Sequence, residues 1–144
     1  MVSLQNTDLR RLDINDFEVL KMFHVKHFQN YEISDQSFKA YLSQPQYQTF
    51  GMFHVKHLIG YVIFLTSQYE ADIVYIATHP DYRRKGVATG LLSALTIPNL
   101  EIFLEVATDN VAAIEFYKSQ GFQTKAIRPK YLNEKDSYLM MKKI

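Results

Sequence analysis

A basic, glycine-containing segment of this sequence has the residue types and spacing needed to bind a phosphate group. It runs HPDYRRKGVATGLL, from His79 to Leu92, after an apolar stretch and before a predicted helix. Such a junction directs free backbone N–H groups and the positive end of a helix to one point. Gly86 and the small Ala88 allow close approach of a ligand to the main chain, and Arg83 begins a run of three cations. These features suit a pyrophosphate, with a solvated basic loop as the alternative, since neither GxGxxG nor GxxxxGK[ST] occurs.

A repeated hexapeptide carries most of the histidines that could bind a metal. MFHVKH occurs at Met22–His27 and again at Met52–His57, and the two copies hold four of the five histidines. Their flanks differ and no carboxylate is evident near either copy, so we predict neither a duplicated structural unit nor a metal site. The first copy is predicted to be helical. The second lies at a strand end and hairpin, although HVKH lacks the Gly, Asn or Asp typical of a tight turn.

The coding DNA offers a different interpretation of the repeat. The codons ATG TTT CAC GTG AAA CAT would encode the hexapeptide and form their own reverse complement. A symmetric duplex site is what a two-fold protein dimer recognises, and this one resembles the centromere-like sites of bacterial chromosome partition. We therefore predict a bacterial source and interpret the histidines as tolerated by-products of a DNA site.

Length and composition limit the class of protein. The chain has 144 residues, 47% of them hydrophobic, and a net charge of +1. These values predict one folded domain over residues 1–144, with no global charge that favours nucleic acid or a membrane. No cysteine is present, which excludes disulfides, thiolate metal sites and a cysteine nucleophile. Without a signal sequence or a membrane-length apolar run, the expected location is cytoplasmic.

Apolar periodicity predicts eleven elements in the order β-α-α-β-β-β-α-β-α-β-β. Asp16 and Ser34 are predicted to cap the first and second helices. The third helix is predicted to follow Gly86, and the fourth to begin at residues 108–110 and to end at Gly121. The predicted strands cover residues 9–14, 47–53, 58–65, 72–78, 100–107, 122–127 and 137–143. This order predicts an α/β (α+β) fold with helices packed on a mixed sheet.

Two motifs resemble those of the GNAT superfamily of acetyl-CoA-dependent N-acetyltransferases. Residues 83–88, RRKGVA, fit its [QR]-x-x-G-x-[GA] signature. Residues 104–122, LEVATDNVAAIEFYKSQGF, resemble the branch that acetylates the N-terminal alanine of a small-subunit ribosomal protein, the RimI type. The resemblance implies the GNAT fold, a mixed and mostly antiparallel central sheet of six to seven strands flanked by about four helices.

The resemblance also implies acetyl-CoA as co-substrate, with no metal. The loop amides would hold the pyrophosphate, the preceding strand would pair with the pantetheine arm, and the N–H of Thr78 would polarise the thioester carbonyl. The residues to which it assigns cofactor contact are Ile76, Ala77, Thr78, Arg84, Lys85, Gly86, Val87, Ala88, Thr89 and Asn110. Asn110 is equally suited to be a simple N-cap.

Two side chains match the acid–base positions of the family. Glu105 matches the general base, and from the residues alone it could equally be an ordinary edge glutamate, with Glu101 on the same face as its rival. Tyr117 matches the general acid, and the alternative is core packing in an aromatic-rich helix. Without cysteine there is no acetyl-cysteine relay, so transfer must be direct, in a ternary complex.

Both segments that bind the acceptor in the family depart from the family pattern in this sequence. Tyr31–Ile33 lacks the expected proline and tryptophan, and the segment IRPKYL keeps Arg128 and Tyr131 but carries Pro129. We predict acetylation of a protein N-terminus, with a ribosomal protein as the expected partner and neither membrane nor direct nucleic-acid binding. The alternatives are a small-molecule amine or a lysine as acceptor, or a non-catalytic acyl-CoA-binding domain.

Overall fold

The computed structural model describes residues 4–132 and 134–144. Seven strands and four α-helices occur in the predicted order. The strands are β1 (Thr7–Arg11), β2 (Tyr47–His54), β3 (His57–Thr66), β4 (Glu70–Thr78), β5 (Glu101–Ala107), β6 (Gln123–Leu132) and β7 (Lys135–Lys143). The helices are α1 (Phe17–His27), α2 (Asp35–Ser43), α3 (Val87–Leu92) and α4 (Val111–Ser119), and two 3₁₀ turns cover Ile14–Asp16 and Pro80–Tyr82.

The strands form one mixed sheet in the order β1-β2-β3-β4-β5-β7-β6. The pairs β1–β2, β2–β3, β5–β7 and β6–β7 are antiparallel. The pair β4–β5 is parallel, through Glu70–Asp72 and Glu101–Phe103. The predicted fold, a mostly antiparallel sheet of six to seven strands with about four helices, is confirmed.

Residue contacts group the chain into two compact units. Unit 1 comprises the chain up to Leu65 together with Val74–Leu95, and unit 2 comprises Thr66–Ile73 and Thr96–Ile144. The prediction of a single domain over residues 1–144 stays a prediction. No helix in the described part of the chain is long and apolar enough to cross a membrane.

Unit 1 is built around β3, which is buried along most of its length. Helices α1 and α2 contribute Leu20, Phe23 and Phe38 to the same core as Tyr61 and Ile63 of this strand. Each large apolar side chain fully removed from water contributes about 1.5–3 kcal/mol. This core therefore fixes both helices on the strand whose neighbour, β4, leads into the basic loop.

Unit 2 is organised by the alternation of β5. Ile102, Leu104 and Val106 are buried, whereas Glu101 and Glu105 point to the opposite, half-buried face. This confirms the predicted assignment of faces. At the sheet edge, nine of the ten residues of β6 are exposed, and its pairing with β7 is interrupted by two register shifts.

Side-chain capping bonds confirm two of the three predicted N-caps. Ser34 Oγ accepts the N–H of Ser37 at 3.1 Å, and Asn110 Oδ1 accepts that of Ala113 at 3.2 Å. Gly121, with φ of 97°, follows the last helix in the left-handed region, as predicted. Asp16 is the N-cap residue of α1, as predicted, but its side chain forms no capping bond to this helix and instead forms an ion pair with Arg10 at 2.9 Å. The cap of this region is Asp13, which accepts the N–H of Asn15 at the start of the 3₁₀ turn.

The two copies of the hexapeptide adopt different structures, as predicted. The first lies in α1, whereas the second ends β2 and begins β3. We predicted that HVKH would make a poor tight turn, but the segment does form one. His54 pairs with His57 across a two-residue turn in which Val55 and Lys56 have φ of 49° and 70°. Positive φ at both central residues is the conformation of a type I′ turn.

The histidine His24 of the first copy is integrated into the core. It is 4% exposed, and its Nδ1 lies 2.9 Å from the hydroxyl of Tyr61. Its Nε2 contacts the carbonyl oxygen of Tyr31. The interpretation of all four histidines as passive by-products is therefore wrong for His24.

Candidate active site

Hydrogen bonds of His79 fix the start of the basic loop, where the chain leaves β4. The N–H of His79 donates to the carbonyl of Ile59 on β3 at 2.8 Å. Its ring Nδ1 accepts the N–H of Asp81 at 3.0 Å and so caps the 3₁₀ turn that follows. The direction in which the chain leaves β4 is thus set by contacts to the buried neighbouring strand.

The loop itself reaches α3 through two residues in the left-handed region. Arg84 has φ of 62° and Gly86 has φ of 83°, and Gly86 is the N-cap residue of α3. The side chains of Arg83, Arg84 and Lys85 are exposed, and none forms an ion pair with a carboxylate among the described residues. The loop therefore presents three uncompensated positive charges beside a glycine where a ligand can approach the main chain.

A glycine of β3 that the sequence analysis did not single out allows this arrangement. A Cβ placed on Gly60 would lie 2.8 Å from Cγ1 of Val87 and 2.9 Å from the carbonyl oxygen of Ala77. Gly60 thus lets β3 pack closely against both the end of β4 and the first residue of α3. A glycine inside an otherwise apolar strand is a known signal of close backbone approach, so it was detectable in the sequence.

The last three residues of β4 lie C-terminal to those that pair with β5. Ile76 and Thr78 are half-buried and Ala77 is 8% exposed. The three residues and the loop residues 84–89 all belong to unit 1, so the structure brings most of the predicted cofactor-binding residues together. Glu105, Asn110 and Tyr117 belong to unit 2.

The carboxylate of Glu105 is held by two side chains that the sequence analysis did not connect with it. Arg128 Nε of β6 lies 2.9 Å from Oε1, and Ser137 Oγ of β7 donates to Oε2 at 2.8 Å. The Glu105 side chain is 18% exposed, and Ser137 is fully buried. Glu105 is thus a fixed, half-buried carboxylate. Its rival Glu101 shares the face but forms no ion pair with a described residue.

Tyr117 lies on α4 with its ring against two phenylalanines. The ring centroids of Phe116 and Phe122 are 5.5 and 5.7 Å away. Burial raises the pKa of Tyr117 to about 12. Its hydroxyl forms no hydrogen bond with any described residue, including Glu105. The packing role is therefore real, and the ring also carries a neutral phenol whose proton is not engaged.

Asn110 uses its side-chain oxygen to cap α4, which is the simple alternative for this residue. Its side-chain amide group is not used by that bond, so the cap does not prevent a second contact. The cofactor contact of Asn110 stays a prediction.

An open groove of about 660 Å³ lies in unit 1 beside the segment that joins α1 to α2. We call it the α1–α2 groove. Burial, followed by the neighbouring hydroxyls of Tyr75 and Tyr47, raises the pKa of Tyr41, which lies in its wall. Among the described residues that line the groove, Glu32 is the only carboxylate. The lining residues are His24, Val25, Phe28, Gln29, Tyr31, Glu32, Ile33, Ser34, Ser37, Tyr41 and Tyr75.

Among the remaining histidines, His27 and His79 lie close together, whereas His54 contacts a tyrosine. The ring centroids of His27 and His79 are 4.0 Å apart, and His54 Nδ1 lies 3.2 Å from the hydroxyl of Tyr82. Burial, with the nearby charge of His79, lowers the pKa of His27. Over residues 4–132 and 134–144, no group of three or more His, Cys, Asp or Glu side chains has an arrangement that could hold a metal ion.

Comparisons with known proteins found similar sequences and similar structures. The profile described as the acetyltransferase (GNAT) family matches residues 8–122. An N-alpha-acetyltransferase RimI of Mycobacterium tuberculosis is 30% identical over 112 residues, which cover 72% of this chain and 71% of the relative. The [ribosomal protein bS18]-alanine N-acetyltransferase of Escherichia coli is 43% identical over 68 residues, 43% of this chain and 45% of that protein. The chain thus spans less than half the length of the first curated relatives it matches.

Solved structures extend the similarity to nearly the whole chain. The crystal structure of the ribosomal-protein-S18-alanine N-acetyltransferase from Escherichia coli superposes with a TM-score of 0.85. The match covers 96% of this chain and 94% of the other at 24% sequence identity. At this identity the likeness is one of fold.

Proposed function

Because the chain belongs to the GNAT acetyltransferase family, we propose that it transfers an acetyl group from acetyl-CoA directly to a primary amine. The observation that carries the proposal is the half-buried Tyr117 side chain, whose pKa is raised to about 12 by burial and whose hydroxyl has no hydrogen-bond partner among the described residues. A phenol kept protonated and unengaged is what protonation of a departing thiolate requires.

The basic loop fits the diphosphate of coenzyme A. Its three exposed cations are uncompensated, and Gly86 has the positive φ that opens the main chain to a ligand. In the proposal, the N–H groups of Arg84–Thr89 hold the diphosphate and those of Ile76–Thr78 hold the pantetheine arm. Helix α3 has only six residues, so the loop amides and cations, rather than a helix dipole, supply most of the attraction.

Glu105 and Tyr117 divide the proton transfers. Acetyl-CoA supplies a thioester, whose carbonyl carbon is open to attack by a free amine. Glu105 removes one proton from the acceptor ammonium, directly or through water, and a second amine proton leaves as the nitrogen–carbon bond forms. Tyr117 gives its proton to the sulfur as the carbon–sulfur bond breaks, and regains one from solvent. One proton is released per acetyl group, and without cysteine no acetyl-enzyme on sulfur can form.

The raised pKa of Tyr117 restricts when its proton can move. The pKa of Tyr117 is about 12, whereas that of an alkyl thiol is about 8.5. Transfer of the phenol proton to a fully formed, solvated thiolate would therefore be uphill by roughly 5 kcal/mol. Donation must therefore accompany bond cleavage, or the thiolate must be formed in a poorly solvated place that raises its own proton affinity. In either case the phenol stays protonated throughout the neutral pH range.

We place the acceptor in the α1–α2 groove, because its lining includes Tyr31–Ile33, the segment to which the resemblance assigns peptide binding. Tyr31, Tyr41 and Tyr75 supply aromatic surface and hydroxyls to an extended peptide, and Glu32 supplies a negative charge. A free α-amino group has a pKa of about 8, against about 10.4 for lysine, so the neutral fraction at pH 7 is about two-hundredfold larger for the α-amino group. This favours a protein N-terminus, and the relatives of the RimI type make the N-terminal alanine of a ribosomal protein the first substrate to test.

Binding and turnover test the proposal in two steps. Isothermal titration calorimetry at low salt should show coenzyme A binding, and release of free thiol should then be measured with peptides that begin with Ala or Ser. Matched peptides with a blocked N-terminus and one free lysine distinguish the two amine classes. Absence of binding heat from coenzyme A, or binding without turnover of any amine, would refute the proposed transfer.

A further inference from the structure

The carboxylate of Glu105 receives its two partners from adjacent positions of the β6–β7 hairpin. Arg128 of β6 and Ser137 of β7 are register partners, and Ser137 is in turn opposite Ala107 of β5. The three strands therefore bring one cation and one hydroxyl to the two oxygens of the same carboxylate, at 2.9 and 2.8 Å. Neither oxygen is free to rotate away without losing a bond.

Arg128 is itself held from two further sides. Its guanidinium lies 4.9 Å from the centre of the Tyr131 ring, which is 55% exposed. Burial raises the pKa of Asp72 on β4, and the positive charge of Arg128 opposes that shift. Arg128 thus lies against an exposed aromatic ring and within the field of two carboxylates, with Glu105 as its direct partner.

We propose that Arg128 and Ser137 are positioning residues that fix the Glu105 carboxylate for proton transfer from the acceptor amine. The proposal rests on the proposed function of Glu105 as base. A carboxylate offers about four lone-pair positions, and the two bonds occupy one on each oxygen. The remaining positions then have a fixed direction, which is the condition for a proton acceptor that must meet a mobile ammonium group. Without Arg128, the carboxylate loses one of the two bonds that fix its orientation.

The variant Arg128→Gln tests this role, with Lys125→Gln as its matched control. Lys125 is an exposed cation of the same strand and forms no ion pair with a described residue. Loss of orientation should lower kcat by about tenfold to a hundredfold, with the KM for acetyl-CoA changed less than twofold. Lys125→Gln should keep kcat within twofold of the wild type. Ser137→Ala should lower kcat in the same manner.

A pH profile separates positioning from a merely structural role. The acceptor α-amine has a pKa of about 8, so about a tenth of it is neutral at pH 7 and about nine tenths at pH 9. If Arg128 serves proton removal, the ratio of wild-type to Arg128→Gln kcat/KM should fall toward one as the pH rises from 7 to 9. Arg128→Lys, which keeps the charge but not the Nε geometry, should recover part of the loss.

Each outcome decides between the alternatives. A kcat for Arg128→Gln equal to the wild-type value would overturn the inference while leaving the proposed function intact. A loss of the same size at every pH, accompanied by a lower melting temperature, would show a structural role and also overturn it. A wild-type protein that turns over no amine would remove the proposed function and this inference together.

Discussion

Replacing Val55-Lys56 by Asn-Gly should stabilise the protein, because both residues of the β2–β3 turn have positive φ. Their φ values are 49° and 70°, and both side chains are exposed, so the exchange removes no core contact. An L-residue in the left-handed region loses about 1–2 kcal/mol, a loss that glycine avoids and asparagine reduces. Introducing glycine also loosens the unfolded chain, which offsets about 0.4–1 kcal/mol. The net gain in the free energy of unfolding is about 2 kcal/mol.

That gain converts into a measurable shift of the melting temperature. For 144 residues, an unfolding entropy of about 2.1 cal/mol/K per residue gives roughly 300 cal/mol/K, so 2 kcal/mol corresponds to about 7 °C. The shift can be followed by far-UV circular dichroism during heating. Urea denaturation should show a higher midpoint with an unchanged slope, since the area buried is the same.

The first copy of the hexapeptide provides the matched control. Val25 and Lys26 are the same residues in an α-helical conformation, and both are exposed. Asn and Gly are poor helix formers, so Val25→Asn with Lys26→Gly should lower the free energy of unfolding by about 1 kcal/mol. The same exchange of Val-Lys for Asn-Gly should thus raise the free energy of unfolding at residues 55–56 and lower it at residues 25–26. A loss of stability on changing Val55 and Lys56, or equal shifts at both copies, would refute the reasoning.

Three further predictions concern the site and its supports. Tyr117→Phe should lower kcat by about 10²- to 10⁴-fold and leave the affinity for coenzyme A unchanged, because only the free hydroxyl is lost. The control Tyr69→Phe, which alters an exposed ring, should leave kcat unchanged. Equal thiol release from the two variants would exclude Tyr117 as the acid. Gly60→Ala should weaken coenzyme A binding in calorimetry, because its methyl group would displace the start of α3; unchanged affinity would remove that glycine from the argument. Hydrogen bonding to Arg10 lowers the pKa of Asp16. The wild type should therefore melt at a higher temperature than Asp16→Asn above pH 4, and this difference should disappear as the pH falls through the lowered pKa. A constant difference down to pH 2 would contradict the prediction.

The elements that local chemistry determines were predictable from the sequence. The caps at Ser34 and Asn110 and the terminating Gly121 each depend on residues within a few positions, and each is confirmed. Asp16 occupies the predicted N-cap position, but the partners of its side chain were not predicted. Its carboxylate pairs with Arg10 of the preceding strand and accepts the N–H of Asp13, so it forms no capping bond to α1.

The support of the candidate base could not be read from the sequence. Arg128 and Ser137 lie 23 and 32 positions after Glu105, and they meet it only because β7 is placed between β5 and β6. A shift of one residue in either register would turn these side chains to the other face of the sheet. The positions of Glu105 and Tyr117 were found by resemblance, whereas their surroundings required the strand order.

The outermost strands of the sheet have a consequence for association between molecules. On one side β6 carries Lys125, Pro129 and Lys130 and two breaks in register, and on the other β1 carries exposed Asp8 and Arg10. Proline offers no N–H for a further ladder, and the cations of β6 would face each other if two copies met along this edge. The departure from the family pattern at Pro129 thus removes a backbone donor from an almost fully exposed strand, a feature that disfavours edge-to-edge association.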